Sequence, residues 1–350
     1  MELFILNKAF EIIDVLDTFK SLEWVKRYYE TGDFVLNCIA DNNTVNSLVN
    51  GYYLAREDDD RLMIIEKRNL TTAAETGNVI ACSGRSIEAI LERRIIWRQT
   101  NSKTNETAES FIRRLIDENA INPADSKRKI PNLQLGTLKG FTETIDKQVT
   151  GDNLLTTIIE ICKLYDYGFK ITMDDEGYLV FDLYRGENRS YSQDVNSYVV
   201  FSDEYDNIIN TDYEYDEISF KNTALIGGEG EGTDRKYQSI GNSEGMERYE
   251  MFVDAKDISS NNNEIAADEY NKLLIERGEE KLAENKEIEK YSGEIETTLT
   301  YRYKEDYNLG DTVQTVDKYG IEASPKILEI IESENENGYR IVPTFSTWEV

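Results

Sequence analysis

Residues 326–347 read KILEIIESENENGYRIVPTFST, and this stretch decides the fold class of the C-terminal end. Two runs rich in Ile, Val, Tyr and Phe flank the polar residues 335–338, which end in Asn-Gly. Such runs favour strands, and an Asn-Gly pair between them is a strong signal for a tight β-turn. The stretch therefore predicts a hairpin with strands over 326–332 and 339–347.

Upstream of this hairpin, strand signals continue and are interrupted by one long polar helix. Further strands are predicted over 199–202, 208–215, 224–227, 294–303 and 312–317. The helix is predicted over 264–290, because Tyr270, Leu273 and Leu274 fall on one face at helical spacing. Residues 206–350 are thus expected to form a β-rich domain that carries an inserted polar helix.

The first hundred residues also consist mainly of strand signals. Strands are predicted over 34–39, 52–56, 62–67 and 78–82, with a further β-forming stretch around Trp24 and an acidic hairpin loop over 57–61. A turn at Ser83-Gly84 is expected to follow, and Ser86 is expected to cap a helix that runs to about Arg94. Residues 1–100 are therefore expected to form an N-terminal β-rich domain.

The middle of the chain, residues 101–205, mixes helix and strand signals. The predicted elements are helices over 101–119 and 153–165, a basic polar linker over 123–131, and a hairpin of strands over 169–173 and 178–183. The second helix is expected to be capped by Asp152 and stopped by Gly168. This pattern predicts a small α+β domain.

Together these signals predict an α+β chain that is mainly β. One internal echo bears on its organisation, since Gly32-Asp33 leads into a strand near the start and Gly310-Asp311 leads into one near the end. The echo fits two related β-barrel-like domains joined by the small α+β domain. Two Gly-Asp turns also arise by coincidence, so the residues alone leave both interpretations open.

The charge balance of the 350 residues excludes several function classes. There are 39 Lys and Arg against 68 Asp and Glu, which gives a formal charge of −29. A field of this sign repels phosphate backbones and anionic lipid headgroups over a Debye length of about 8–10 Å. We therefore expect protein partners, no specific nucleic acid and no membrane insertion.

The chain contains no histidine, which removes Ser-His-Asp triads, imidazole bases and most zinc or iron sites. Carboxylate, Lys or Tyr chemistry and oxygen-bound calcium or magnesium remain. The three cysteines, Cys38, Cys82 and Cys162, lie in apolar runs and are predicted to be buried free thiols. Because the N-terminus lacks a basic region and a cleavage site, it is not a signal peptide, and we expect synthesis in the cytoplasm.

Three kinds of motif have both a functional and a purely structural interpretation. The glycines at 228, 230 and 232 resemble a phosphate loop only in number, because Glu229 and Glu231 would repel a phosphate; a tight or flexible turn is favoured. The acidic clusters 58–60, 174–176 and 203–206 could pair carboxylates or hold calcium, but solvated turns are favoured. The 22 Tyr residues could line a carbohydrate or protein interface, but sheet packing is favoured.

Several ordered segments carry a family resemblance. They are residues 83–86 with Leu91 and Arg93-Arg94, residues 224–232 with Arg235, residues 245–258, Leu309-Gly-Asp-Thr-Val313, Tyr319-Gly-Ile-Glu322, residues 327–333 and residues 338–345. Together they span about 80–345, and their sequence and order resemble those of the siphophage tail-tip hub family. This family is similar to the baseplate hubs of contractile-tailed phages and to the N-terminal part of tail-associated lysins.

The resemblance implies a virion structural protein of a phage or prophage, located at the tail tip. Two related β-barrel domains per chain in a homotrimer would present six similar surfaces to a sixfold tail tube. The implied partners are the distal tail protein or tail tube and the receptor-binding or fibre proteins used for host attachment. The hub would close the DNA channel, and acidic residues lining the channel would repel DNA.

Two other functions remain open from the residues alone. One is a carboxylate-dependent hydrolase of cell-wall glycan, suggested by the acidic clusters and the tyrosines, and the other is a carbohydrate-binding adhesion module. Family members that cut cell walls do so with a C-terminal extension, and this chain stops at Val350, so no lytic residue is expected here. We expect no enzyme activity and assign no catalytic, cofactor-binding or metal-ligating residue.

Overall fold

The computed structural model describes residues 2–73, 77–261, 264–295, 300–316, 320 and 322–346. Up to residue 101 the elements are β1 (Leu3–Leu6), β2 (Ile12–Leu16), β3 (Ser21–Arg27), β4 (Asp33–Ile39), α1 (Asn42–Ser47), β5 (Tyr53–Arg56), β6 (Met63–Ile64), β7 (Lys67–Ala73), β8 (Gly77–Arg85), a 3-10 helix over Ile87–Arg93, and β9 (Thr100–Asn101).

The elements of the middle segment, residues 101–205, include two helices. In order they are α2 (Ala108–Ile116), a π-helical turn over Asp117–Ile121, a 3-10 helix over Ser126–Arg128, β10 (Leu133–Leu135), β11 (Gln148–Val149), α3 (Leu154–Tyr165), β12 (Gly168–Met173), β13 (Leu179–Tyr184), β14 (Val200–Ser202) and a 3-10 helix over Asp203–Tyr205.

The C-terminal segment, residues 206–350, returns to strands around one long helix. Its elements are β15 (Ile208–Asp216), β16 (Thr223–Gly227), a 3-10 helix over Gly232–Asp234, β17 (Tyr237–Ile240), a 3-10 helix over Gly245–Glu247, β18 (Glu250–Asp254), α4 (Ala267–Ala283), β19 (Ile288–Ile295), β20 (Gln314–Val316), β21 (Glu322–Ala323), β22 (Lys326–Asn335) and β23 (Gly338–Ser346).

An antiparallel sheet of eight strands joins the two ends of the chain. Its order is β15-β19-β23-β22-β3-β4-β8-β7, so that residues 1–100 and residues 206–350 contribute four strands each. The two sets meet where β22 pairs with β3, with Ile331 opposite Val25. The predicted closing hairpin is confirmed, since β22 and β23 pair down to Asn335 and Gly338; position 347 lies outside the described residues.

Strict alternation in β4 explains why this sheet has one buried face. Phe34, Leu36 and Cys38 are buried, whereas Val35 and Ile39 are exposed. Successive side chains of a strand point to opposite faces. At β4, one face of the sheet therefore packs on the core and the other face is open to solvent.

Three apolar cores organise the rest of the molecule. The largest draws side chains from all three segments, among them Tyr28, Phe111, Phe181, Phe201 and Phe345. A second lies within the N-terminal segment, under β3, β4 and β8. The third is formed where α4 packs on the small sheet β17-β16-β18. The three segments thus share apolar packing.

The predicted α+β, mainly β class is confirmed by several sheets and few helices. The domain boundaries at residues 100 and 205, and the relation between two barrel-like domains, stay predictions. The eight-stranded sheet takes four strands from each terminal segment, and the pairing of β22 with β3 joins the two sets. The two terminal segments therefore share one sheet.

Two element boundaries near residue 84 differ from the prediction. No turn interrupts the chain at Ser83-Gly84, because β8 continues to Arg85 and both residues pair with β4. The following helix is a 3-10 helix, and Ser86 does not cap it. The Ser86 hydroxyl instead accepts a hydrogen bond from the Gly32 N–H at 2.8 Å. The Ser86 N–H donates in return to the Gly32 carbonyl at 2.9 Å, so the two backbones are held together.

The helices predicted over 101–119, 153–165 and 264–290 are shorter in the structure, and side-chain caps fix the start of the first two. The first middle helix begins at Ala108, after the cap Thr107. The cap of α3 is Asn153, not Asp152, and α3 ends where Asp166 adopts a left-handed conformation, two residues before Gly168. Helix α4 ends at Ala283, and the strand predicted over 294–303 is instead β19, with 296–299 outside the described residues.

Candidate functional site: a charged junction of three segments

Four charged side chains meet on the buried face of the large sheet. Lys26 lies on β3 and Glu332 on the neighbouring β22, and Arg56 ends β5. The loop after β5 brings Asp59 back over them. We call Lys26, Arg56, Asp59 and Glu332 the junction cluster. Strand alternation places Lys26 and Glu332 on the core side, since they follow the register of the buried Trp24 and Ile330.

The junction cluster is a network of short ion pairs, which Asp58 extends at Arg56 and Lys304 extends at Asp59. The Lys26 Nζ donates to Asp59 Oδ2 and to Glu332 Oε1, both at 2.5 Å. The Arg56 Nη2 donates to Glu332 Oε2 at 2.8 Å, and the Tyr339 hydroxyl donates to the same oxygen at 2.6 Å. The side chains of all four members are at most 3% exposed, so the charges are compensated by one another and not by water.

The protonation of the cluster follows from burial and pairing. Burial by itself would raise the pKa of Asp59, but Lys26 and Lys304 outweigh it and hold that pKa well below its usual range. Burial would also raise the pKa of Glu332, but the positive charges of Lys26 and Arg56 outweigh burial and lower this pKa. Both carboxylates therefore stay ionised at neutral pH. An ion pair so deeply buried is costly to break from one side.

A second set of contacts ties the N-terminal segment to the middle segment. The Arg61 guanidinium lies 3.4 Å from Glu88 Oε1, and that oxygen accepts a hydrogen bond from the Ile171 N–H at 3.0 Å. The Lys170 Nζ pairs with Asp60 at 2.5 Å. Strand β12 is thus held to the N-terminal segment by the Lys170–Asp60 ion pair and by the backbone hydrogen bond to Glu88.

Two aspartates complete the links to the C-terminal segment. Asp166, at the end of α3, accepts from the Tyr29 hydroxyl at 2.8 Å and from Lys326 Nζ at 2.6 Å. Asp311 accepts from the Glu187 N–H at 2.7 Å and from Arg189 Nε at 2.9 Å. Asp166 therefore binds donors from both terminal segments, and Asp311 ties the C-terminal segment to the middle segment.

A glycine of the same turn as Asp311 is required by close packing. Gly310 has φ +96°, and a Cβ placed there would lie 2.4 Å from Cε2 of Tyr28. Only glycine combines this backbone conformation with that approach. The segment Leu309–Val313, which carried part of the resemblance, is therefore a structural turn that docks on Tyr28.

A cleft of about 700 Å³ opens above the junction cluster, between all three segments. Its wall includes Asp60, Lys170, Arg185, Tyr303 and Lys304. The basic side chains of this wall are each paired with a carboxylate: Lys170 with Asp60, Lys304 with Asp59 and Arg185 with Glu143. The cleft is lined by mutually compensated charges, which suit a rigid junction of segments.

The acidic clusters divide into one correction and two confirmed turns. The solvated-turn interpretation of 58–60 is wrong for Asp59, whose side chain is 1% exposed in the junction cluster. It holds for Asp174, whose Oδ1 accepts from the backbone N–H groups of Glu176 and Tyr178 in an exposed turn. It holds also for 203–206, a short 3-10 turn capped by Ser202.

The glycine-rich loop is a tight turn, as favoured from sequence. Gly230 and Gly232 have φ +100° and +55°. The Glu229 carboxylate accepts from Lys236 Nζ at 2.7 Å and from the Ser260 N–H at 2.9 Å. Burial opposes this ionisation, but those donors lower the pKa of Glu229 to about 2. A fixed carboxylate therefore occupies the loop where a phosphate would need to bind.

The tyrosines and cysteines follow the structural interpretation in the main. Tyr303 and Tyr307 pack with each other beside the junction cluster, at 5.6 Å between ring centroids. Tyr205 and Tyr215 are about half exposed. The three cysteines are buried and free, as predicted, and burial raises the pKa of the Cys38 thiol to about 12.

Sequence reasoning missed most of the junction. Lys26 and Glu332 lie 306 positions apart, and Arg61 meets Tyr184 across 123 positions, so no local spacing relates them. One weak signal was available, since Lys26 and Glu332 are charged residues at strand positions where alternation requires a buried side chain.

Comparison with known proteins identifies the family. Residues 2–345 match the model of the Siphovirus ReqiPepy6 Gp37-like protein family, and the chain belongs to this family of siphovirus tail proteins. A search of curated proteins returned no match.

Three of the solved structures with a similar fold are tail proteins from different bacteria. The chain is similar to the prophage MuSo2 43 kDa tail protein from Shewanella oneidensis, with TM-score 0.60, 14% identity, and coverage of 99% of this chain and 98% of that one. It is similar to a tail protein from Neisseria meningitidis MC58, with TM-score 0.58, 13% identity and coverage of 99% and 95%. The prophage tail protein gp18 from Listeria monocytogenes gives TM-score 0.58, 11% identity and the same coverage. These likenesses show the fold.

Two negative findings apply to the described part of the chain. None of its helices is both long and apolar enough to cross a membrane. Within the same residues, no group of three or more Cys, Asp or Glu side chains is arranged to hold a metal ion.

Proposed function

We propose that this tail protein is a structural subunit of the distal tail tip, where three copies form a hub. The hub links the tail tube or distal tail protein to the receptor-binding apparatus and closes the DNA channel. Membership of a siphovirus tail protein family and a fold shared over nearly the whole chain with prophage tail proteins support a structural tail role. The trimer is supported by the large sheet.

The single observation that carries the trimer is the pair of open edges on the eight-stranded sheet. Among the described residues, β7 ends the sheet on one side and β15 on the other, and Leu70 on β7 is 48% exposed. An open edge presents unpaired N–H and C=O groups that favour pairing with another strand, and a closed barrel removes such edges. Pairing β7 of one copy with β15 of the next would close the ring.

The symmetry of such a ring would let it bind a sixfold tail tube. Each copy contributes four strands from each terminal segment, so three copies present six strand sets around one axis. Such an arrangement matches a sixfold tube with a threefold tip. The ion pairs of the junction cluster hold the strands of the two terminal segments together within one copy. A subunit that transmits force between the tail tube and the tail tip requires such a rigid connection.

Light scattering at several concentrations tests the proposal. A mass of three times 40.3 kDa, and binding to purified distal tail protein or tail tube, are expected. A chain that stays monomeric at every concentration and binds neither component would contradict the hub.

The alternative function, a glycan hydrolase, gains no support from the cleft. The pKa values of Asp58 and Asp59 are both lowered, so neither carboxyl group is set to act as the general acid.

A further inference from the structure

A basic patch stands out on this acidic protein. Residues 93–98 read RRIIWR and residues 127–129 read KRK, and we call these nine residues the basic patch. The two stretches are joined in space, since Arg94 Nε donates to the Arg128 carbonyl and Arg128 Nη2 donates to the Ile95 carbonyl, each at 2.5 Å. Six cations are therefore concentrated on one surface of a chain whose formal charge is −29.

The cations of the basic patch differ from those of the junction. Elsewhere Lys26, Arg56 and Lys170 are paired with carboxylates within 3 Å. Within the part of the chain that the structure describes, none of the six patch cations has a carboxylate partner within 4 Å; the ion pairs nearest in sequence are those of Arg85 with Glu92 and of Arg114 with Glu118. Such uncompensated positive charge is available to an acidic partner.

An exposed tryptophan gives the basic patch a site for an apolar anchor. Trp97 is 63% exposed, and the Arg128 guanidinium stacks on it at 4.8 Å from the ring centroid. Beside them lies a pocket of about 430 Å³, whose border includes Arg98 and Arg128 but also Glu118 and Asp125. Trp and Arg at the rim of a pocket are the residue types that dominate protein interfaces.

The same chain carries a surface of complementary chemistry. Met246 is 91% exposed at the end of the loop after β17, and the exposed Glu244 and Glu247 flank it. We call these three residues the acidic tip. The loop is held in place, because Asn222 Nδ2 donates to the Glu247 carbonyl at 2.7 Å and Arg248 Nη1 donates to the Ser243 carbonyl at 2.9 Å. A methionine between two carboxylates suits a pocket that is bordered by Trp97 and by two of the patch cations, Arg98 and Arg128.

We propose that the acidic tip of one copy docks into the basic patch of a second copy. This inference rests on the proposed trimer and adds a contact outside the sheet edges. Both surfaces are largely exposed in the single chain, so neither satisfies the other internally. Two different complementary surfaces make a head-to-tail contact, which closes into a ring when the rotation permits. The contact also offsets the repulsion between copies that each carry −29.

Charge reversal measured by sedimentation of the full chain tests this contact. R98E/K127E is expected to raise the dissociation constant of the trimer at least about tenfold, and E244K/E247K should do the same. Combining all four substitutions in one chain sets the new glutamates opposite the new lysines and should recover part of the lost affinity, because four cations of the basic patch remain. The matched control is K256E/K272E, which reverses two other exposed lysines and should have little effect.

The outcomes separate this inference from the hub. If R98E/K127E behaves like the control while the unmodified chain remains a trimer, the docking contact is wrong and the hub stands. A chain that is monomeric before any substitution overturns both. If the trimer is unchanged but R98E/K127E loses retention on immobilised heparin, the basic patch serves a different polyanion, and the contact with a second copy is again overturned.

Discussion

Glu332 shows how much of the junction depends on one carboxylate. It accepts hydrogen bonds from Lys26, Arg56 and Tyr339, and its side chain is 2% exposed. Removing the charge leaves the buried Lys26 with Asp59 alone and the buried Arg56 with the more exposed Asp58. We expect Glu332→Gln to lower the free energy of unfolding by about 3–5 kcal/mol, measured by urea titration followed by circular dichroism.

The control for this prediction lies on the same hairpin. Glu336 is exposed in the turn between β22 and β23, and Glu336→Gln should change the free energy of unfolding by less than about 0.5 kcal/mol. Equal effects of the two substitutions would show that burial and pairing at Glu332 contribute little.

Gly310 allows a second test at the scale of one residue. Its positive φ and its contact with Tyr28 both oppose a side chain. Gly140 has a similar φ of +81°, but a Cβ there meets nothing within 4 Å. Gly140→Ala should therefore cost about 1 kcal/mol of stability from the backbone alone, and Gly310→Ala at least about 3 kcal/mol, by the same urea titration.

Local residue patterns were enough to predict individual strands and helices, but they did not predict the contacts between segments. Asn335-Glu336-Asn337-Gly338 between two apolar runs is enough to predict β22 and β23, because the turn and the alternation are local. The pairing of β22 with β3 joins residues about 300 positions apart, and no periodicity specifies it. For the same reason Asp59 was expected in a solvated turn, since its partner Lys26 is visible only in the fold.

Helix α4 docks on α3 through an unusually acidic contact. Glu276 accepts a hydrogen bond from the Tyr165 hydroxyl at 2.7 Å, and Glu280 pairs with the buried Lys147. Burial, together with the charges of Glu280 and Glu279, raises the pKa of Glu276 to about 7, although the bond from Tyr165 opposes the change. This contact is therefore sensitive to pH near neutrality.

The direction of the pH effect follows from the raised pKa. The folded protein holds the Glu276 proton more tightly than the unfolded chain, so the stabilisation is complete below pH about 4.5 and is lost as the pH rises through 7. We expect Glu276→Gln to be more stable than the unmodified chain at pH 8 by about 1 kcal/mol and to show little advantage at pH 5.

Thermal unfolding at the two pH values measures this effect. Glu269→Gln, an exposed position in the first turn of α4, serves as the control and should show no comparable difference between pH 5 and pH 8. An advantage of Glu276→Gln that is the same at both pH values would contradict a role for its ionisation.

At the scale of the whole molecule, charge and sheet edges act in opposite directions. A formal charge of −29 on each copy opposes association, whereas the open edges β7 and β15 favour it through backbone hydrogen bonds. Added salt screens the repulsion but leaves such hydrogen bonds nearly unchanged. If strand pairing holds the trimer together, its dissociation constant is set by the edges, and the edges can be altered without touching any core.

Leu70→Lys should weaken the trimer because Leu70 is half exposed on the edge strand β7, and a lysine on an edge opposes strand pairing. Val15→Lys is the matched control, since Val15 is 46% exposed on β2, which is an edge of a different sheet. Light scattering is expected to show a lower mass for Leu70→Lys than for Val15→Lys at equal concentration, with similar urea midpoints. If both variants keep the mass of the unmodified trimer, β7 is not a contact between copies, and the ring must close through surfaces other than the sheet.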